Sequence, residues 1–133
     1  MVALLAVLVI LIDQTTKAVL LRGAITNGGV AFGIASQHSV FVGILLGIGL
    51  VGSMYLYKTS KLSRYDQLLW GCIFGGIVSN FIDRVRLCTV LDPFTLGWLH
   101  LSFNVADVVI SIGFASICLQ LLVRERTRTN VLL

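Results

Sequence analysis

Long apolar runs alternate along this chain with shorter stretches rich in glycine, hydroxyl and charged residues. The segment 40–57, for example, is apolar throughout and carries no charge. A run of about 20 apolar residues suffices to cross the hydrocarbon core of a membrane as an α-helix. The pattern therefore predicts four membrane-spanning helices, at 2–21, 40–57, 67–82 and 101–123.

Two of the intervening stretches are too polar to cross a membrane. Residues 22–39 contain Asn-Gly and Gly-Gly steps, which are typical of turns. Residues 85–100 mix β-branched residues with Asp92 and Pro93, and we expect an ordered surface or re-entrant segment there. Short strands or loops in both stretches would form a small cradle beside an all-α integral membrane fold. No linker composition interrupts the chain, so we predict one domain over 1–133.

The composition indicates the same class of protein. Hydrophobic residues make up 57% of the chain and charged residues only 12%, and the mean hydropathy is +0.98. A water-soluble domain of this composition would expose far too much apolar surface. The net charge of +4 could suggest a nucleic-acid partner, but the basic residues lie in short runs between apolar segments. That distribution is typical of membrane topology, so we predict no nucleic-acid partner.

The distribution of Lys and Arg predicts how the helices are oriented. Cytoplasmic loops of membrane proteins carry an excess of these two residues. The excess lies after the second predicted span and in the C-terminal tail, at Lys58, Lys61, Arg64, Arg124, Arg126 and Arg128. Residues 22–39 and 85–100 are poorer in basic residues. Both termini are therefore predicted to be cytoplasmic, and the cradle is predicted to be extracytoplasmic.

Ionisable residues inside apolar spans are costly, and by default they mark a functional site or a buried pair. Asp13 and Lys17 are four residues apart in the first span, so they can form an ion pair on one helix face. We expect that pair to hold the first helix against its neighbours.

Asparagine and aspartate recur near the ends of the later spans. The spacing N-x-x-D occurs twice, at Asn80 and Asp83 and at Asn104 and Asp107. Residues three apart lie on one face of a helix. In the predicted orientation these groups, with Asn27 and Asp92 of the two loops, lie toward the extracytoplasmic side. With Asp13 they bring four aspartates to a similar depth, which predicts a functional site.

The residue types limit the chemistry of such a site. The three cysteines, at 72, 88 and 118, have neither metal-ligand spacing nor a disulfide framework, and the sequence has no H-E-x-x-H motif and no Ser/His/Asp set. Carboxylates remain. Two close carboxylates share a proton, so one can act as a general base on water while the other polarises a carbonyl. This is the arrangement of an aspartic peptidase.

Two other functions fit a small membrane protein with buried carboxylates. A four-span proton-coupled transporter would bind and release protons on them. It would, however, hold its ionisable group near the middle of the membrane, whereas these groups favour the outer side. A structural or assembly protein would explain glycine faces such as Gly43 with Gly47 and Gly71 with Gly75, but not four aspartates. Those faces could pack helices within one chain or between two, so the oligomeric state stays open, a monomer included.

Four sequence blocks resemble the bacterial lipoprotein signal peptidases (signal peptidase II). The blocks are DQTTK at 13–17, NGGVAFG at 27–33, GGIVSNFIDR at 75–84 and FNVADVVISIG at 103–113. Each is modest by itself, but together they follow the family's order over most of the chain. The resemblance implies an aspartic endopeptidase of the bacterial inner membrane that needs no metal or other cofactor. It also implies lipidated prolipoproteins as partners, in a membrane lipid environment, cut just before a diacylglyceryl-modified cysteine.

The resemblance also implies roles for individual residues. Asp107 and Asp92 match the catalytic aspartates of the family. Substrate-binding or supporting roles fall to Asn27, Asn80, Asp83, Arg84 and Asn104, and Asp13 and Lys17 form the structural ion pair.

The sequence departs from the family in two places. Ser79 stands where the family usually has glycine, and Pro93 directly follows Asp92, where a large apolar residue is expected. Proline removes an N–H and restricts the backbone of the preceding residue. A pairing of Asp83 with Asp107 therefore remains an alternative to the pairing of Asp92 with Asp107.

Overall fold

A computed structural model describes residues 1–27, 47, 51, 54, 63–99 and 101–131. It contains three long helices in this part of the chain: α1 (Val2–Val19), α2 (Arg64–Leu87) and α3 (Val105–Val131). The second predicted span, 40–57, lies outside the described residues except for Gly47, Val51 and Met54, each of which is helical. Most of the NGGVAFG block, from Gly28 onward, also lies outside them.

Helix α2 is longer than the predicted span 67–82 because charged residues are incorporated at both of its ends. Ser63 and Asp66 form a capping box, in which each side chain accepts a hydrogen bond from the other residue's backbone N–H. At the other end the helix continues past Asp83 and stops at Cys88, which has a left-handed backbone (φ 58°). The N–H of Cys88 donates to the carbonyl of Arg84 and closes the last turn.

The predicted spans at the two ends of the chain also differ from the structure. Leu101–Phe103 is a strand, not the first turn of a helix, and α3 begins only at Val105 and continues beyond the predicted end at 123. Helix α1 ends at Val19, and a 3-10 turn at Leu21–Gly23 follows it. At Leu20 and at Leu101–Phe103 the apolar composition continues past a change of backbone geometry, whereas α3 continues past 123 into charged residues, so hydropathy alone could not locate these boundaries.

Four short strands accompany the helices, and three of them lie in the two polar stretches for which short strands or loops were expected. Strand β1 (Ile25–Asn27) pairs antiparallel with β2 (Val90–Asp92), and β3 (Phe94–Leu96) pairs antiparallel with β4 (Leu101–Phe103). In the second pair the rings of Phe94 and Phe103 stack with their centroids 5.6 Å apart. Pro93 lies between β2 and β3 rather than within either strand, so its missing N–H leaves both ladders intact.

Glycines allow α2 to pack closely against both other helices. A Cβ atom at Gly71 would lie 2.9 Å from the carbonyl oxygen of Val2, and one at Gly75 would lie 2.6 Å from that of Ala6. On the opposite side, a Cβ at Gly76 would lie 2.8 Å from Cγ1 of Ile110. The G-x-x-x-G face at Gly71 and Gly75 is thus the contact between α1 and α2.

The helices bury polar groups and expose apolar ones, which is the reverse of a water-soluble bundle. Large apolar side chains of α1 and α3 are exposed, among them Leu4, Val7, Leu11, Ile112, Leu119 and Leu122. Within the described residues, α1 and α2 are long and apolar enough to cross a membrane, and α3 carries a shorter apolar stretch at Val105–Gln120. The chain is a helical membrane protein.

We expect Gly75→Ala to lower the thermal stability of the protein in detergent. The added methyl group would meet the backbone of Ala6, which cannot move without separating α1 from α2. Overpacking of this kind costs about 1–3 kcal/mol. Gly23→Ala is the matched control, because a Cβ at Gly23 meets nothing within 4 Å. Equal melting temperatures for the two variants would contradict the close contact.

Candidate active site

Asp92 ends strand β2 and is fully buried. Its Oδ1 accepts a hydrogen bond from Nδ2 of Asn104 at 2.7 Å. Its Oδ2 accepts from Nδ2 of Asn27 at 3.0 Å and from the hydroxyl of Ser102 at 3.3 Å. Donors from β1, from β4 and from the residue before α3 therefore fix both oxygens of this carboxylate.

Asp107 lies in the first turn of α3 and forms a capping box with Asn104. The N–H of Asp107 donates to Oδ1 of Asn104 at 2.9 Å, and the N–H of Asn104 donates to Oδ2 of Asp107 at 3.2 Å. The expectation that Asn104 and Asp107 share a helix face is wrong, because Asn104 precedes the helix and caps it. The remaining oxygen of Asp107, Oδ1, accepts from Nδ2 of Asn80 at 2.9 Å.

Asn104 links the two predicted catalytic aspartates. Its amide oxygen caps the helix that carries Asp107, while its amide NH2 donates to Asp92. The two carboxylates are close enough to repel each other, and the buried guanidinium of Arg84 attracts both of them and also Asp83. The structure therefore gathers Asp92, Asp107 and Arg84 into one electrostatic cluster, which we call the aspartate cluster.

Asp83 belongs to the same region but is held by other partners. Its Oδ1 accepts from Nε2 of Gln14 at 2.8 Å. Its Oδ2 pairs with Nζ of Lys17 at 2.8 Å and accepts from the backbone N–H of Leu91 at 3.3 Å. Asp83 thus ties α2 to α1 and to the strand residue immediately before Asp92.

The ion pair of α1 reaches all three helices. Nζ of Lys17 lies 2.6 Å from Oδ2 of Asp13, and it also donates to Oδ1 of Asn80 at 2.9 Å. Oδ1 of Asp13 accepts from the backbone N–H of Ala106 at 2.9 Å, in the first turn of α3. Asp13 therefore accepts a hydrogen bond from a free backbone N–H at the N-terminus of α3 and also pairs with a lysine of its own helix, α1.

Three polar residues in this region were missed in the sequence. Ser79, which stands where the family usually has glycine, is fully buried and donates its hydroxyl to Asp13 at 2.7 Å. Gln14 donates to the same hydroxyl at 3.0 Å as well as to Asp83. For Ser79 and Gln14, the sequence did offer a signal, namely a polar residue within an apolar run. For Ser102, which donates to Asp92, the sequence offered no comparable signal.

No group of three or more His, Cys, Asp or Glu side chains in the described part of the chain is arranged to hold a metal ion. Amides, hydroxyls and cations surround the carboxylates instead. The fold and the site together define a helical membrane protein with two hydrogen-bonded carboxylates at the junction of short strands and a helix N-terminus.

Comparison with known proteins gives the family. The profile of the family described as signal peptidase (SPase) II matches residues 5–123. A lipoprotein signal peptidase of Syntrophotalea carbinolica is 30% identical over 140 aligned positions, covering 87% of this chain and 87% of that protein. One of Thermosynechococcus vestitus is 33% identical over 99 positions, covering 71% of this chain but only 60% of that protein.

A solved structure agrees with the sequence comparisons. A bacterial membrane enzyme determined by the in meso method at 2.3 Å has a TM-score of 0.81 and 29% sequence identity to this chain. The match covers 91% of this chain and 87% of that one. The chain belongs to the signal peptidase II family, and this membership supports the function of a peptidase over that of a transporter.

We expect Asn104→Ala to lower the melting temperature more than Asn104→Ser does. Both variants lose the amide donor to Asp92, but serine can still accept from the backbone N–H of Asp107 as an N-cap. Loss of a cap costs about 1 kcal/mol. Thermal unfolding of the two variants in the same detergent measures the difference. If serine were no better than alanine, the cap would not be a source of stability.

Proposed function

We propose that this chain is an intramembrane aspartic endopeptidase that removes the signal peptide from diacylglyceryl-modified prolipoproteins, immediately before the lipidated cysteine. The observation that carries the proposal is the pairing of Asp92 and Asp107 through Asn104. This single side chain contacts the carboxylate of one aspartate and the backbone of the other. Because one residue holds both aspartates in place, the geometry supports two carboxylates that act on the same substrate bond.

The proposed reaction needs only these carboxylates and water. One carboxylate removes a proton from a water molecule, whose oxygen attacks the carbonyl carbon of the scissile amide. The other carboxyl group donates its proton toward the carbonyl oxygen. When the C–N bond breaks, the leaving nitrogen takes up a proton, and a carboxylic acid and an amine result. Asp92 and Asp107 supply both functions and return to their starting protonation.

Asp92 is a better partner for Asp107 than Asp83 is. Both oxygens of Asp83 are occupied by groups that tie helices and strand together, namely Gln14, Lys17 and the N–H of Leu91. The partners of Asp92 come instead from the strands and from Asn104, which also caps the helix of Asp107. We therefore assign Asp83 a supporting role, with Asn27, Asn80, Arg84 and Asn104.

We infer four membrane spans with both termini in the cytoplasm. The contacts of Gly71 with Val2 and of Gly75 with Ala6 mean that α1 and α2 run parallel. A chain that leaves one parallel helix and begins the next must cross back between them, which supports a span at 40–57. Gly76 contacts Ile110, and Ile73 contacts Gly113 further along α3. This order of contacts means that α3 runs antiparallel to α2, as expected for the last of four spans.

The same topology orients the site. Asp13 and Lys17 near the end of α1, Asp83 near the end of α2 and Asp107 at the start of α3 share one end of the bundle. Cytoplasmic termini put that end, with the four strands as a cradle, on the extracytoplasmic side of the bacterial inner membrane.

The partners follow from that position. The lipidated substrate would enter sideways from the outer leaflet, with its acyl chains remaining in the surrounding lipid.

We expect Asp92→Asn and Asp107→Asn to abolish cleavage of a diacylglyceryl prolipoprotein by the purified protein, with a loss of at least about 100-fold, because each removes one acid–base group. Asp83→Asn should keep partial activity, since it changes a supporting contact only. Gel-shift of the processed lipoprotein measures the rate, and EDTA is included because the proposed chemistry uses no metal.

Melting temperatures close to that of the wild type would show that the inactive variants are folded. An active Asp92→Asn beside an inactive Asp83→Asn would transfer the catalytic role to Asp83. A wild-type protein that cleaves nothing would overturn the proposed function, and loss of wild-type activity in EDTA would overturn the metal-free chemistry.

The pH dependence of cleavage should be bell-shaped. Activity rises as the general base loses its proton and falls as the general acid loses its own, so the two apparent pKa values belong to the pair of aspartates. Initial rates over about pH 4 to 9 would cover this titration. A flat profile across that range would argue against a dyad of carboxylates.

A further inference from the structure

Lys17 has a complete set of hydrogen-bond partners inside the helical bundle. Its side chain is only 2% exposed, and its ammonium group lies 2.6 Å from Oδ2 of Asp13, 2.8 Å from Oδ2 of Asp83 and 2.9 Å from Oδ1 of Asn80. An ammonium group has three protons to donate and no acceptor. Two partners are carboxylates whose negative charge it partly offsets, but the third is a neutral amide, and charge balance gives no reason for that contact.

The contact with Asn80 decides which way its amide faces. Because Lys17 can only donate, the atom of Asn80 that faces it must be the carbonyl oxygen. The amide NH2 then points to the opposite side, where Nδ2 donates to Oδ1 of Asp107 at 2.9 Å. Rotation of the amide by half a turn would put its oxygen against the carboxylate of Asp107 and its NH2 against the ammonium of Lys17. Both contacts would then be repulsive.

We propose that Lys17 is a positioning residue for Asp107, acting through Asn80. The ammonium group fixes the Asn80 amide in the orientation that donates to Asp107, so α1 takes part in aligning a carboxylate that lies on α3. This assignment rests on the proposed function, since it presumes that Asp107 acts on substrate. It goes beyond the role of an ion pair that holds α1 in place.

The distinction can be tested because an ion pair and an orienting donor respond differently to charge. Lys17→Met alone leaves Asp13 and Asp83 buried without their cation, which could prevent folding. In Lys17→Met/Asp83→Asn, one positive and one negative charge are removed together. The trio of Asp13, Lys17 and Asp83 then keeps its net charge of −1, while the donor to Asn80 is lost. Asp83→Asn alone is the matched control.

The readout is the single-turnover cleavage rate at saturating enzyme, measured beside KM and the melting temperature. We expect Lys17→Met/Asp83→Asn to cleave about ten- to a hundredfold more slowly than Asp83→Asn, the factor expected for one hydrogen bond to a charged group. KM should change less than about twofold, because Lys17 and Asn80 support Asp107 from within the bundle. A merely structural role would lower the melting temperature and the amount of active enzyme instead.

Asn80 supplies the second arm of the test. Asn80→Ala in the Asp83→Asn background should slow cleavage by a similar factor. Adding Lys17→Met to it should cause little further loss, because the group through which Lys17 acts is already absent. If Asp83→Asn alone falls below detection, the same cycle is measured in the Asp13→Asn background, in which Lys17→Met again removes one positive charge together with one negative charge.

Two results would overturn the proposal. One is a Lys17→Met/Asp83→Asn variant that cleaves as fast as Asp83→Asn. The other is a triple variant whose loss equals the product of the separate losses, which would mean that Lys17 acts independently of Asn80. These outcomes are distinct from a failure of the proposed function, which would appear as an inactive wild type or an active Asp107→Asn.

Discussion

Burying several carboxylates within a bundle of apolar helices is unfavourable unless each oxygen has a donor. Most of the polar side chains described in this protein supply such donors. Asp13, Asp83, Asp92 and Asp107 each use both oxygens to accept hydrogen bonds or ion pairs, and the donors come from a different element in almost every case. The same contacts that make the charges tolerable therefore join the helices and strands to one another.

Close helix packing is what brings those donors within reach. The side chains of Lys17 and Gln14 on α1 meet Asn80 and Asp83 on α2 only because the two backbones approach closely a few turns earlier. Gly71 and Gly75 permit that approach, since a methyl group at either position would meet the backbone of α1. The polar contacts at one end of the pair α1 and α2 therefore depend on the close glycine packing nearer its other end.

The sequence was sufficient to predict the three helices that the structure describes, but not the residues at which they begin and end. Apolar runs indicated membrane helices, and the G-x-x-x-G spacing indicated a close helix contact without its partner, because both signals depend on local composition. The start of α3 was placed four residues too early, because Leu101–Phe103 is as apolar as the helix that follows and differs only in its pairing with β3. Long-range strand pairing leaves no periodic signal in three residues.

The candidate site shows the same limit at the level of single side chains. The spacing N-x-x-D was recognised twice, yet it has two different structural meanings. At Asn80 and Asp83 both residues lie inside α2, whereas at Asn104 and Asp107 the first residue ends a loop and caps the helix. Serine at position 79 is only slightly larger than the family's usual glycine, but its hydroxyl donates a hydrogen bond to Oδ2 of Asp13. Which donors a carboxylate finds depends on elements far apart in the chain, and no local pattern encodes them.

The junction of strands and helices is where two requirements meet, that of amide hydrolysis for water and that of the membrane for hydrogen-bonded backbone. Hydrolysis of an amide requires water, and backbone N–H and C=O groups outside helices require partners that lipid does not offer. Strands β1 and β2 hydrogen-bond to each other through their backbones, and the N–H of Leu91 donates to Asp83 rather than facing lipid without a partner. Asp92 follows directly at the end of β2, held by Asn104 at the N-terminus of α3. Asp92 and Asp107 thus lie where backbone outside the helices and polar side chains supply each other's hydrogen-bond partners.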